Sequence, residues 1–184
     1  MTTPGTTRLA TDRLDLRPVR PDDLDHFAPM DADPEVMRYI AGGRPRTREQ
    51  AAAGVDRLVR TWHEHGFGIF AATVRDTGAV AGWVGLAIPA FLPEVLPAVE
   101  IGWRLRREFW GHGYATEGAR AVLRWAFQDR NLDRLISIRH VDNVASGRVM
   151  AKLGFTVERA TTVPETGQPV LVYELFRGSV ATVT

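Results

Sequence analysis

Ala98-Val99-Glu100-Ile101-Gly102-Trp103-Arg104-Leu105, followed after four residues by Trp110-Gly111-His112-Gly113-Tyr114-Ala115-Thr116-Glu117, is the stretch that decides how this chain is read. Its first half is an apolar run of strand length. Beyond the glycines, Ala115, Ala119, Val122, Leu123, Ala126 and Phe127 recur at helical spacing and predict a helix over 114–129. A strand, a glycine turn and a helix form an anion site. The first N–H groups of a helix have no intrahelical acceptor, and the helix dipole adds partial positive charge to them. Glycine lets that backbone bend and approach a phosphate closely. Arg104, Arg106 and Arg107 stand just before the turn, where guanidinium forks would add phosphate contacts. No Gly-Lys-Ser/Thr ending and no third glycine follow, so the motifs for nucleoside triphosphates and dinucleotides are both absent. The turn therefore suits a pyrophosphate that belongs to neither ATP nor NAD. Taken alone it also fits a plain β–α connection that needs a tight bend.

Working outward, Leu14 and Leu16 alternate with Arg13, Asp15 and Arg17 in a first strand that ends at Pro18. Pro21-Asp22-Asp23 opens a helix, and Pro34 starts a shorter helical piece through Tyr39. Thr47-Arg48-Glu49-Gln50 is a capping box whose helix runs to His65 and stops at Gly66. Phe67–Val74 and Val80–Ile88 make a hairpin around Asp76-Thr77-Gly78. On the far side of the glycine turn, Leu135–His140 is a short strand and Ala145–Leu153 a helix closed by Gly154. Thr156–Val163 and Val170–Phe176 form a last strand pair. The pattern predicts a mixed sheet with helices on its faces. Residues 1–10 and 178–184 read as loose tails. Pro89–Pro97 is an apolar loop containing Phe91, Leu92, Val95 and Leu96. It either lines a pocket or is buried in a homodimer, and the sequence leaves both open.

Three segments together resemble the GNAT superfamily of N-acetyltransferases, and in particular its RimJ/RimL-type alanine N-acetyltransferases of ribosomal proteins. They are Thr11-Asp12-Arg13-Leu14-Asp15-Leu16-Arg17-Pro18, the glycine turn, and Asn143-Val144-Ala145-Ser146 with Lys152-Leu153-Gly154-Phe155. The resemblance implies an α+β GNAT fold over residues 11–177. Its single sheet would be mostly antiparallel, with two splayed parallel central strands and helices on both faces. It implies acetyl-CoA as co-substrate, with the pantetheine arm in the splay and the pyrophosphate on the amides of 111–115. The positions carried over for the cofactor are Trp103, Leu105, Arg106, Trp110, Gly111, His112, Gly113, Tyr114, Ala115, Thr116, Asn143 and Ser146. Two positions depart from the superfamily pattern. Glu108 stands where Gln or Arg is common, and Met150 stands where many members place a tyrosine. The subgroup presents a serine instead, here Ser146.

The chemistry expected is attack of a neutral primary amine on a thioester in a ternary complex, since the chain has no cysteine to carry the acyl group. Glu100 interrupts an apolar strand and is the expected base or amine ligand, against a structural pairing with an arginine. Ser146 is the expected hydrogen-bond donor to the departing thiolate. His140 is a reserve base. Asn143 serves the pantetheine arm, caps its helix, or does both. Glu117 is expected to favour the dipole of the helix it opens. The acceptor is a protein N-terminus or a small-molecule amine, and a non-catalytic acyl-CoA sensor is the alternative reading. The 23 Lys+Arg nearly balance 22 Asp+Glu, which argues against nucleic acid as a partner. No His pair shows ligand spacing, so no metal is expected. No apolar run approaches the roughly 20 residues that span a bilayer, so no membrane partner and a cytoplasmic location are expected.

Overall fold

Alternating apolar positions build the sheet of this computed structural model, which describes residues 7–182. Leu14 and Leu16 of β2 (Leu14–Pro18), Phe70 and Ala72 of β3 (Ile69–Val74) and Val84 and Leu86 of β4 (Val80–Ala87) are buried. The remaining strands are β1 (Leu9–Ala10), β5 (Glu100–Leu105), β6 (Arg134–His140), β7 (Thr156–Thr162) and β8 (Pro169–Phe176). They form one eight-stranded sheet in the order β1-β2-β3-β4-β5-β6-β8-β7. Every pairing is antiparallel except β5 with β6, which run parallel and register only at Glu100 and Ile136. Ladder bonding stops there, and side chains take over. The Ser137 hydroxyl donates to Ile101 O at 2.9 Å, and the Ile138 N–H donates to Glu100 Oε1 at 3.3 Å. The mixed sheet with a splayed parallel pair agrees with the GNAT expectation.

Five helices join these strands: α1 (Leu24–Ala32), α2 (Pro34–Met37), α3 (Arg48–His65), α4 (Tyr114–Gln128) and α5 (Val144–Lys152). The Thr47 capping box is present. Gln50 N–H donates to Thr47 Oγ1 at 3.3 Å, and Thr47 N–H donates to Gln50 Oε1 at 3.0 Å. α4 lies close on one face of the sheet, where a methyl group added at Gly118 would stand 3.1 Å from Val84 and 3.4 Å from Leu14. The residues that alternate with that face on β5 point the other way, and there Arg104 meets Asp31 of α1 at 2.5 Å.

Several expectations are corrected by this arrangement. Pro21–Asp23 is a 3-10 turn and α1 begins only at Leu24. The Asp23 carboxylate is buried because it receives both Arg17 guanidinium nitrogens, at 2.8 and 2.6 Å, and the Arg20 N–H at 2.7 Å. The segment set aside as a tail at 1–10 holds Leu9 and Ala10, which pair with Leu16 and Asp15; its first six residues lie outside those described. At the other end Arg177–Thr182 is a 3-10 turn, while 183 and 184 also lie outside the described residues. The apolar loop 89–97 sends Leu92 and Val95 into a second core with Ile136, Val163, Val170 and Val172. It covers the face of β6 and β8 opposite α5, so these two side chains are core residues of the subunit itself.

Candidate active site

A cleft of about 480 Å³ opens beside the end of β5. One wall is the glycine turn with the start of α4 (Trp110, Gly111, Gly113, Tyr114, Ala115, Thr116). A second comes from α5 and the residue before it (Asn143, Ser146, Val149), and a third from α2 and the residues after it (Glu35, Arg38, Tyr39, Ile40). Trp103 and Leu105 also line it. Of the twelve positions carried over for the cofactor, ten meet in this one cleft although they lie on three separate elements.

The turn has the geometry of an anion cradle. Gly111 and Gly113 adopt φ of 79° and 81°, the left-handed region open to glycine. Glu117 N–H is the first to find a helical acceptor, Gly113 O at 3.0 Å. The N–H groups of 111–116 have no protein acceptor among the described residues. A ligand that brings its own oxygens completes these bonds, so the residues present fit a pyrophosphate. Trp110 closes the loop by donating its indole N–H to Leu105 O at 2.9 Å.

On α5, Asn143 caps the helix by accepting from Ser146 N–H through Oδ1 at 3.1 Å. Capping uses only the side-chain oxygen and leaves the amide N–H groups able to donate, so both expected roles are compatible. Arg148 and Lys152, one turn apart on α5, also line the cleft and add positive charge. Lys152, the only lysine in the chain, belongs to the motif that begins at Asn143 but has no role of its own there, and Arg148 carries no sequence signal.

Glu100 sits at the closed end of the β5–β6 splay and does not line the cleft as the turn does. It is half-buried by surface area, yet protein crowds its carboxyl and burial pushes the pKa up to about 8, opposed only by the hydrogen bond from Ile138 N–H. Among the described residues no arginine pairs with it, in contrast to the structural alternative. His140, at the end of β6, stacks on Tyr39 with ring centroids 5.3 Å apart, and its Nδ1 lies 3.2 Å from the Asp142 N–H.

Three arginines read as phosphate ligands are each paired with a carboxylate, and of the three only Arg104 lines the cleft. Arg104 pairs with Asp31, Arg106 with Glu108 at 2.5 Å and Arg107 with Asp33 at 3.3 Å. Arg106 therefore does not join the cleft. The same pairing turns the Glu108 carboxylate toward a guanidinium, which removes the conflict its sequence position suggested. His112 stacks on Tyr114 at 5.7 Å, outside the cleft lining, with Nδ1 2.8 Å from Trp110 O. Glu117 stands in the first turn of α4, where its charge suits the helix dipole, and it also accepts from Thr11 and Arg13.

Residues 13–156 match the family model described as acetyltransferase (GNAT) domain. The chain is 36% identical over 166 residues to FsC-acetyl coenzyme A-N(2)-transacetylase of Aspergillus fumigatus, spanning 85% of this chain and 68% of the relative. It is 32% identical to protein YkkB of Bacillus subtilis over 91% of this chain and 95% of that one. Among solved structures, an acetyltransferase from Agrobacterium tumefaciens superposes with TM-score 0.79 at 28% identity, covering 92% of this chain and 94% of that one. A RimL structure, a ribosomal L7/L12 alpha-N-protein acetyltransferase, has TM-score 0.75 at 17% identity over 92% of this chain and 94% of that one, a likeness of fold alone. The chain belongs to the GNAT acetyltransferase family. It is an acetyl-CoA-dependent N-acetyltransferase. No helix among the described residues is long and apolar enough to cross a membrane.

Proposed function

We propose that the protein transfers the acetyl group of acetyl-CoA directly to the primary amine of a small molecule, with Glu100 as base and Ser146 as hydrogen-bond donor to the leaving sulfur. The observation that carries the reading is the set of N–H groups at 111–116 without acceptors among the described residues, beside a cleft shared with Asn143 and Ser146. Acetyl-CoA supplies an activated acyl group; the chain supplies position, proton transfer and charge stabilisation. The main-chain amides of 111–116 hold the pyrophosphate, and the free backbone edge of β5 beyond Glu100 orients the pantetheine arm. Desolvation makes Glu100 a stronger base than an ordinary carboxylate, suited to drawing a proton from the amine directly or through water. A thiolate with an ordinary pKa of about 8.5 needs no strong acid, so the Ser146 hydroxyl suffices.

A small-molecule acceptor is favoured by the Aspergillus fumigatus relative, whose name, FsC-acetyl coenzyme A-N(2)-transacetylase, carries no protein acceptor. Tyr39 and Ile40 wall the side of the cleft that such an acceptor would enter. The RimJ/RimL-like motifs support a second acceptor, a protein N-terminus of the ribosomal-protein class. The test is thiol release from acetyl-CoA over a panel of small amines, amino acids and N-terminal peptides. Turnover with small amines is expected. Turnover confined to peptides would transfer the assignment to the second acceptor. Tight acetyl-CoA binding without turnover on any acceptor would make the protein an acyl-CoA sensor.

A further inference from the structure

Arg13 lies about a hundred residues before the glycine turn, yet it is bound to it from several directions. Its Nη1 donates to His112 O at 2.9 Å, and its Nε donates to Glu117 Oε2 at 2.7 Å. Its backbone N–H donates to Glu117 Oε1 at 2.9 Å, which also receives the Thr11 hydroxyl at 2.6 Å. The guanidinium carbon stands 4.8 Å from the Tyr114 ring centroid. One side chain thus grips the carbonyl in the middle of the turn, the carboxylate in the first turn of α4 and the ring between them.

We propose that Arg13 is a positioning residue for the cofactor, acting through the His112–Gly113 peptide. The proposal rests on the reading that acetyl-CoA binds at this turn. In a trans peptide the C=O and the following N–H point in opposite directions. Holding the His112 carbonyl on the Arg13 side aims the Gly113 N–H the other way. His112 lies outside the cleft lining and Gly113 lies within it, as this orientation requires. A left-handed glycine peptide has little intrinsic preference to hold one orientation, so an external tether decides it. Glu117 fixes the tether by engaging Arg13 at both its backbone and its side chain. The Arg13 side chain is 47% exposed, and ion pairs at that exposure add little to stability. The consequence of the contact is therefore in the geometry of the turn. Lysine could not reproduce it, because a single ammonium lacks the planar fork that reaches carboxylate and carbonyl together.

The test compares dissociation constants, by calorimetry, for acetyl-CoA and for S-acetylpantetheine, which lacks the pyrophosphate. Arg13→Ala is expected to weaken acetyl-CoA binding about tenfold, the worth of one charge-assisted hydrogen bond, and to leave S-acetylpantetheine unchanged. Arg13→Lys is expected to fall between wild type and Arg13→Ala for acetyl-CoA, and it carries the same comparison if the alanine variant does not fold. Unchanged acetyl-CoA affinity, or equal losses for both probes, overturns the positioning role. A wild-type protein that fails to bind acetyl-CoA overturns instead the reading on which the proposal rests.

Discussion

The wall of the cleft made by the glycine turn and the wall made by α2 are built on different principles. The turn presents main-chain N–H groups, and its shape is held by Trp110 on Leu105 O and Arg13 on His112 O. The α2 wall presents side chains: Glu35, Arg38, Tyr39 and Ile40. Arg38 and Glu35 are both exposed and approach only to 3.9 Å, and Tyr39 leans on His140. Backbone recognition needs particular residues only where φ or close approach demands them. Side-chain recognition can change with any substitution. The difference explains why one wall reads as a cofactor site for a whole family while the other has to be tested acceptor by acceptor.

The largest effect expected is one that leaves the turn alone. Leu92 is fully buried in the second core, on the face of β6 and β8 away from α5. Leu92→Ala removes about 3 kcal/mol of stability, in the range for a buried leucine. Urea denaturation will show this as a lower midpoint. Acetyl-CoA affinity under native conditions is expected to stay at the wild-type level. A parallel loss of affinity would mean that the turn depends on that core and that the two sides of the sheet are not independent.

Leu92 also marks where the sequence stopped being legible. The strands from β2 onward, the Thr47–Gln50 cap, and the paired glycines before α4 are local patterns with local causes, and they appear where the sequence places them; the two-residue β1 is too short to show one. Pro89–Pro97 reads only as apolar, because which surface it covers depends on strands that lie tens of residues later. The same limit hid the tie between Arg13 and Glu117, and the pairing of Arg104 with Asp31. A guanidinium near a phosphate loop looks like a phosphate ligand until the fold supplies a carboxylate at shorter range. Arg148 and Lys152 went without a role for the converse reason: Lys152 stands in a recognised motif, but that both basic side chains line the cleft follows only from where α5 lies.

Glu100 belongs to neither wall, since it sits where β5 and β6 part, and it gives the next effect. Glu100→Gln is expected to lower kcat on the order of a hundredfold, the usual worth of a general base, with acetyl-CoA affinity nearly unchanged. The wild-type rate should rise toward pH 8 as the carboxyl ionises, and the variant should lose that rise. Stability changes with the opposite sense. The unfolded carboxyl titrates near about 4.3, whereas burial raises the folded pKa to about 8. Between these values the folded state holds a proton that the unfolded state has lost, so wild-type stability declines as pH rises through that window. Glutamine has no proton to hold. The thermal midpoint of Glu100→Gln should therefore gain on wild type from pH 5 to pH 8. A full-rate variant would move the base to His140 or water; a midpoint difference independent of pH would mean that the carboxyl is not held neutral.

The smallest effect separates the two glycines of the turn itself. Both have left-handed φ, but their surroundings differ. A Cβ on Gly111 meets nothing within 4 Å, whereas one on Gly113 stands 3.4 Å from Arg13 Nη2. Gly111→Ala carries the left-handed cost alone, about 1 kcal/mol, and should weaken acetyl-CoA binding about fivefold. Gly113→Val adds a branched side chain pressed against the guanidinium that holds His112, for about 2 kcal/mol and about thirtyfold. The gap between the variants contains the contact with Arg13 and the greater left-handed strain of a branched side chain over alanine. It should narrow in an Arg13→Ala background, where only the second contribution is left. If Gly113→Val binds acetyl-CoA as tightly as wild type, the pyrophosphate lies elsewhere. Equal losses for both glycines with Arg13 present would leave backbone conformation as the whole of the turn's contribution.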